Sequence, residues 1–246
     1  MGNIIVKEPA ADIRKIARNS LQGFWKNVFI GTFLYIILVD VLPEFLTLVS
    51  PDFMIAEVED MKVSMLANLY VIFTRGAFAV GISSFMLMFF RKKDANPGYL
   101  FNGFGFFFKA FGLTFMVGIF TFLWSLLFVV PGIIAAFRYS QVFFILADDP
   151  SKGIMQCINE SKAMMNGNKA NLFFLMLSFI GWAVLVNLAG LLLTSIFNES
   201  MAIVAAVLCA VPTAFYSAYF NTAQTAFYEL ASGHLRAQSE IPDIIV

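Results

Sequence analysis

The chain has 246 residues, of which 60% are hydrophobic and 13% charged; its sixteen basic side chains cancel its sixteen acidic ones, and mean hydropathy is +0.81. Soluble domains run at about 25% charged and about 45–50% apolar residues, so too little polar surface is present to face water on every side. Composition thus excludes a water-soluble domain and predicts an all-α, polytopic membrane protein, and the zero net charge gives no sign of a nucleic-acid partner.

A helix crossing a hydrocarbon core about 30 Å thick needs about 20 mostly apolar residues. Residues Met1 to Arg18 lack the apolar centre of a cleavable signal, so no processing is expected. Segment 9–22 reads as an amphipathic helix with Ile13, Ile16, Ala17, Ser20 and Leu21 on one face and Arg14, Lys15, Arg18 and Gln22 opposite. Spans are predicted at 28–49 and 65–90, separated by a loop carrying Glu44, Asp52, Glu57, Glu59 and Asp60. A second amphipathic segment, 97–107, leads to apolar runs at 110–130 and 131–147. The latter is short, so the two either cross fully or form a re-entrant hairpin around Pro131-Gly132. A third amphipathic segment, 150–166, opens with Asp149 as N-cap and Pro150 at the first helical position, presents Ile154, Ile158 and Met165 on one side and ends at Gly167. Spans at 171–197 and 201–230 follow, and the single integral membrane domain occupies the whole chain.

Thirteen of the sixteen Lys and Arg fall before the first span, at 91–109, at 152–169 or in the tail. Basic loops stay on the cytoplasmic side, which predicts two cytoplasmic termini. Each amphipathic segment passes through Gly and Lys into aromatic residues: Gly23-Phe24-Trp25-Lys26, Gly103 to Lys109, and Gly167-Asn168-Lys169 to Phe173-Phe174. Two readings fit: three repeats of amphipathic helix plus membrane hairpin, or the ordinary residue preference of a cytoplasmic interface.

Three charges, Asp40, Arg75 and Arg138, lie inside spans, about 10–15 Å below the outer boundary. Such charges are costly unless paired or hydrated. They form either an anion or headgroup site or a structural pair with one snorkelling arginine, and a break of the first span at Pro43 would instead leave Asp40 at the interface. In the last span Ala202, Ala206, Ala210, Ala214, Ala218, Thr222 and Ala226 recur at every fourth position, a pattern that lets helix backbones approach closely. Its basic-end half also presents Thr213, Tyr216, Ser217, Asn221, Gln224, Thr225 and Tyr228, which line a wet cavity or bond between helices.

No catalytic, metal or cofactor residue is assigned. The lone histidine, His234, lies beyond the last span; Cys157 and Cys209 have no metal spacing and read as packing residues; no phosphate-binding glycine loop is present. Asp148-Asp149 reads as a helix cap, and the lysines as interfacial.

The strings Pro131-Gly132-Ile133, Tyr139-Ser140, Ile145-Leu146-Ala147-Asp148, Ser161 to Met165 with Gly167-Asn168-Lys169, Leu177-Ser178-Phe179-Ile180-Gly181-Trp182 and Phe227-Tyr228-Glu229-Leu230 closely resemble the bacterial membrane-protein family catalogued as domain of unknown function 975. The likeness reaches back to Ile13 through Trp25. This chain departs from the family pattern after the fifth span, with Asn198-Glu199 for a Gly-rich turn and Thr213 after Pro212. The resemblance implies a multi-pass inner-membrane protein and brings no activity, substrate or catalytic residue. The stretch from Pro131 to Gly167 is also similar, more loosely, to the membrane domain of some glycerophosphodiester phosphodiesterases. The expectation is a non-enzymatic accessory or scaffold protein that binds membrane lipids or a membrane-protein partner, with a homo-oligomer as another possibility; the alternative is a small permease or exporter for an anionic or amphiphilic molecule.

Overall fold

The computed structural model describes residues 4–50, 54–58, 61–197 and 201–235. Asp52, Glu59, Asp60, Glu199 and Arg236, which entered the charge argument, lie outside them, as does the Asn198-Glu199 turn. The order of elements is α1 (Ala10–Leu21), α2 (Trp25–Ile36), a π turn (Ile37–Val41), α3 (Leu42–Val49), β1 (Met54–Val58), β2 (Met61–Ser64), α4 (Met65–Lys92), a 3-10 helix (Pro97–Phe106), α5 (Phe107–Leu127), α6 (Val129–Arg138), α7 (Val142–Asp148), α8 (Ile154–Met164), α9 (Lys169–Leu177), α10 (Ile180–Ile196) and α11 (Ala202–Ser232). Apart from the small antiparallel hairpin β1–β2, the elements among the described residues are helical. Among the described residues five stretches are long and apolar enough to cross a membrane, Trp25–Val49, Met65–Lys92, Pro97–Leu127, Val129–Asp148 and Ile203–Ser232, and the pair α9–α10, bent by 44°, makes a sixth if it is one span. Large apolar side chains crowd the outside, among them Phe115, Phe122, Trp182, Leu185 and Phe215. Water would not tolerate such a surface and lipid does; the architecture is that of a polytopic helical membrane protein.

A short helix followed by a helical hairpin occurs three times along the chain. The short helices do not lay their apolar faces on lipid. Ile13, Ala17 and Leu21 of α1 are fully buried against protein, as are Cys157 and Ile158 of α8. Their neighbours are core residues such as Leu172, Phe227 and Phe89 for α1, and Leu113 and Tyr139 for α8. Burial also pushes the Cys157 thiol above its ordinary pKa, with Glu160 adding to the shift. The third short helix starts later than its sequence suggests. Asp149 caps only a turn, accepting from the backbone and hydroxyl of Ser151, and α8 begins at Ile154 behind Gly153.

The middle segment is a 3-10 helix rather than an amphipathic α-helix, and it packs along α4. Two glycines permit this: a Cβ at Gly81 would sit 1.9 Å from the Leu100 carbonyl oxygen, and one at Gly103 would sit 1.9 Å from that of Ala77. Three residues of a 3-10 helix and four of an α-helix both advance about 6 Å, so the two contacts fall in step. The shared rise accounts for a 3-10 segment of 10 residues, well beyond the usual length. Phe101 and Phe104 then flank Phe78 edge-on, with centroids at 6.2 and 5.1 Å.

The tip between α5 and α6 is Phe128, in extended conformation (φ −165°), three residues before the expected Pro131-Gly132 turn. Pro131 instead occupies the first turn of α6, where its missing N–H costs nothing, and Gly132 lies against Ser125 of α5. Helix α11 is the packing helix its alanines predict: Ala210, Ala214, Ala218, Thr222 and Ala226 are buried. Hydroxyls within the spans bond to the carbonyl four residues back, as at Thr32, Thr74, Ser83, Thr114, Thr213 and Thr225, which removes free donors from an apolar setting.

The first span does not break at Pro43. Proline has no N–H to donate, and the chain widens into the π turn, in which Leu42 N–H bonds to Ile37 O, five residues back. In that register the partner of Leu38 O would be Pro43, so the carbonyl is orphaned. The Tyr70 hydroxyl of α4 supplies the missing donor at 2.7 Å. Tyr70→Phe is expected to lower stability by about 1–3 kcal/mol, the usual cost of an unsatisfied acceptor in such a setting, measurable as a reduced unfolding midpoint in detergent.

Candidate functional site

A groove of about 750 Å³ opens where α1, α2, α10 and α11 meet. Residues Ala11, Arg14 and Arg18 of α1, spaced three and four apart, share a helix face and form one wall. Trp25 and Phe29 of α2, Trp182 and Val186 of α10, and α11 from Val211 to Tyr219 form the rest. Trp25 stacks on Phe215 with centroids at 5.0 Å. The wall is apolar and aromatic except at α1, where two guanidinium groups meet it.

The bend at Ser178-Phe179 helps to shape this site. Arg14 Nη1 donates to the Ser178 carbonyl at 3.4 Å, and the Tyr219 hydroxyl donates to Arg14 O at 3.3 Å, so α1 is tied to the bend between α9 and α10 and to α11. The Nε–H of Arg14 is shut off from solvent and has no acceptor among the described residues. An unsatisfied donor on a cation beside an apolar groove suits an anionic group.

The three charges expected to cluster do so only in part. Asp40 and Arg75 line one cavity of about 510 Å³ with Tyr35, Tyr70, Thr74 and Phe143. Arg138 lies elsewhere, with its guanidinium 5.8 Å from the Trp124 ring centre and its carbonyl accepting from Ser161 at 2.9 Å. The polar row of α11 divides. Asn221 and Gln224 line a second cavity of about 140 Å³, which shares Tyr35, Ala79 and Phe143 with the first. Tyr216 belongs to the groove, Thr213 and Thr225 bond to their own helix, Ser217 is half-buried, and Tyr228 donates to Asp148 at 3.0 Å.

An ion network not anticipated from the sequence joins the ends of α4, α7 and α11. Arg91 reaches Asp148 with two nitrogens, at 2.5 and 3.2 Å, and Glu229 at 2.7 and 2.8 Å. His234 Nδ1 lies 3.0 Å from Arg91 Nη2 and Tyr228 stacks on Phe144. The available signal was a charge within one or two turns of the end of each apolar helix, which loop counting assigns to the interface. Among the described residues no three His, Cys, Asp or Glu side chains are grouped to hold a metal ion.

The family model described as "Protein of unknown function (DUF975)" matches residues 8–136 and 126–234. The chain belongs to this family. Both groove-lining arginines, the Asp40–Arg75 cavity and all three members of the ion network fall within the matched DUF975 residues. No curated protein and no solved structure matches the chain.

Proposed function

We propose that this DUF975 protein is a non-enzymatic accessory protein of the bacterial cytoplasmic membrane that binds an anionic phospholipid from the inner leaflet. The observation that carries this reading is the groove under α1, apolar along its length with Arg14 and Arg18 at one wall. An acyl chain loses nothing by lying against Trp25, Phe29 and Trp182, and a phosphate gains charge-assisted hydrogen bonds from the guanidinium groups. Sidedness supports the placement, since α1 belongs to the base-rich side that the positive-inside bias puts in the cytoplasm. Burial of the apolar faces of α1 and α8 moves the lipid contact from the undersides of the amphipathic helices to this groove.

Native mass spectrometry of the full chain released from phosphatidylglycerol nanodiscs tests the proposal. The expected result is retained lipid on the wild-type protein and at least tenfold lower occupancy in Arg14→Gln/Arg18→Gln, with the unfolding midpoint monitored in parallel. Equal occupancy in a folded double variant would defeat it. A second reading, a small permease, is favoured by the two adjoining cavities that share Tyr35, Ala79 and Phe143; flux in reconstituted vesicles distinguishes the two.

A further inference from the structure

Asp40 and Arg75 belong to a site separate from the groove. Each lies about 15 Å along its helix from the end next to the β1–β2 hairpin, so they share a level in the bundle. The Tyr70–Leu38 hydrogen bond pins their two helices together between them. Both side chains are exposed along the cavity wall, where nothing holds opposite charges back from closing into contact. Yet among the described residues neither makes a hydrogen bond or an ion pair within 4.0 Å, and both face the same cavity of about 510 Å³.

The other polar groups of that cavity are largely committed. The Tyr70 hydroxyl donates to Leu38 O and the Thr74 hydroxyl to Tyr70 O. The walls present one carboxylate acceptor, one guanidinium donor, the Tyr35 hydroxyl, which can donate or accept, and the aromatic rings of Tyr35 and Phe143. A ligand of one sign would satisfy one charge and oppose the other; only a ligand carrying both matches both. We propose that this cavity binds a zwitterion, its ammonium toward Asp40 and the rings and its phosphate or carboxylate toward Arg75. The volume lies within the range of small-molecule sites, and ring faces favour an ammonium. The chemistry is shared by the headgroup of phosphatidylethanolamine and by a free aminophosphate.

The test uses the full-length protein. Titration calorimetry with phosphoethanolamine, glycerol 3-phosphate and ethanolamine reads the free solute, and native mass spectrometry from nanodiscs of phosphatidylethanolamine against phosphatidylglycerol reads the headgroup. At least one zwitterionic probe is expected to bind tenfold or more tightly than its single-charge counterparts. Binding of phosphoethanolamine identifies a free solute, and binding of the lipid alone a headgroup. Asp40→Asn should erase the preference over the anionic probe, Arg75→Gln should remove binding of both, and lipid retained by Arg14 and Arg18 should be unchanged. No preference for a zwitterion in either series, or a preference that survives Asp40→Asn, would overturn the proposal. The probe comparison is made on the wild-type chain, so it decides the matter even where a variant fails to fold.

Discussion

Replacing Arg91 by methionine is expected to destabilise the protein by about 3–5 kcal/mol, the cost of breaking a buried pair by removing one partner. The side chain of Glu229 is only 3% exposed and that of Asp148 20%, so loss of the guanidinium strands two neighbouring carboxylates that water cannot reach freely. Arg91→Lys should fall between, since an ammonium keeps the charge and loses the two-nitrogen fork on Asp148. Converting the cluster to apolar residues of similar volume, Arg91→Met with Asp148→Leu and Glu229→Leu, should recover much of the loss, because a buried ion network and a packed apolar one are often close in energy. Unfolding midpoints in one detergent check all three; a triple variant no better than Arg91→Met would mean that geometry rather than stranded charge sets the cost.

The second large effect is expected at the glycines between α4 and the 3-10 helix. Overpacking a side-chain contact costs about 1–3 kcal/mol, but at Gly81 and Gly103 the obstacle is backbone carbonyl, which has no rotamer to give. With each Cβ 1.9 Å from an oxygen, Gly81→Ala and Gly103→Ala must part the two helices, and because the contacts are one turn apart, moving one loosens the other. Loss of monodisperse protein on size exclusion is expected for each. Gly105→Ala and Gly118→Ala, where a Cβ meets nothing within 4 Å, should behave like wild type. Normal folding of Gly81→Ala would show that the close approach is not required.

These two features were not equally hidden in the sequence. The long apolar runs were legible because hydrocarbon thickness imposes a length, and the alanine row of α11 because close packing imposes a period. Asp40 and Arg75 stood out as charges deep in such runs. Arg91, Asp148 and Glu229 did not, since each sits near a helix end, where a charge ordinarily meets water; their meeting depends on how three distant helices converge. The 3-10 segment was misread because Pro97, Leu100, Gly103 and Phe106 recur every third residue, a spacing that an α-helix also samples. Asp149-Pro150 carried a correct local signal, a cap, and the structure applies it to a turn. The groove draws on residues from Ala11 to Tyr219, and nothing local marks Trp25, Trp182 and Phe215 as neighbours.

The convergence on Arg91 also bears on the order in which the chain is made. Arg91 leaves the ribosome first, Asp148 next and Glu229 last, so while residues 149–228 are being added the guanidinium has one carboxylate partner. Only when the final helix enters the membrane does the second arrive, together with Tyr228, which docks on Asp148. The last helix thus works as a keystone. A chain stalled short of it would hold its first two hairpins joined by an incomplete ion network.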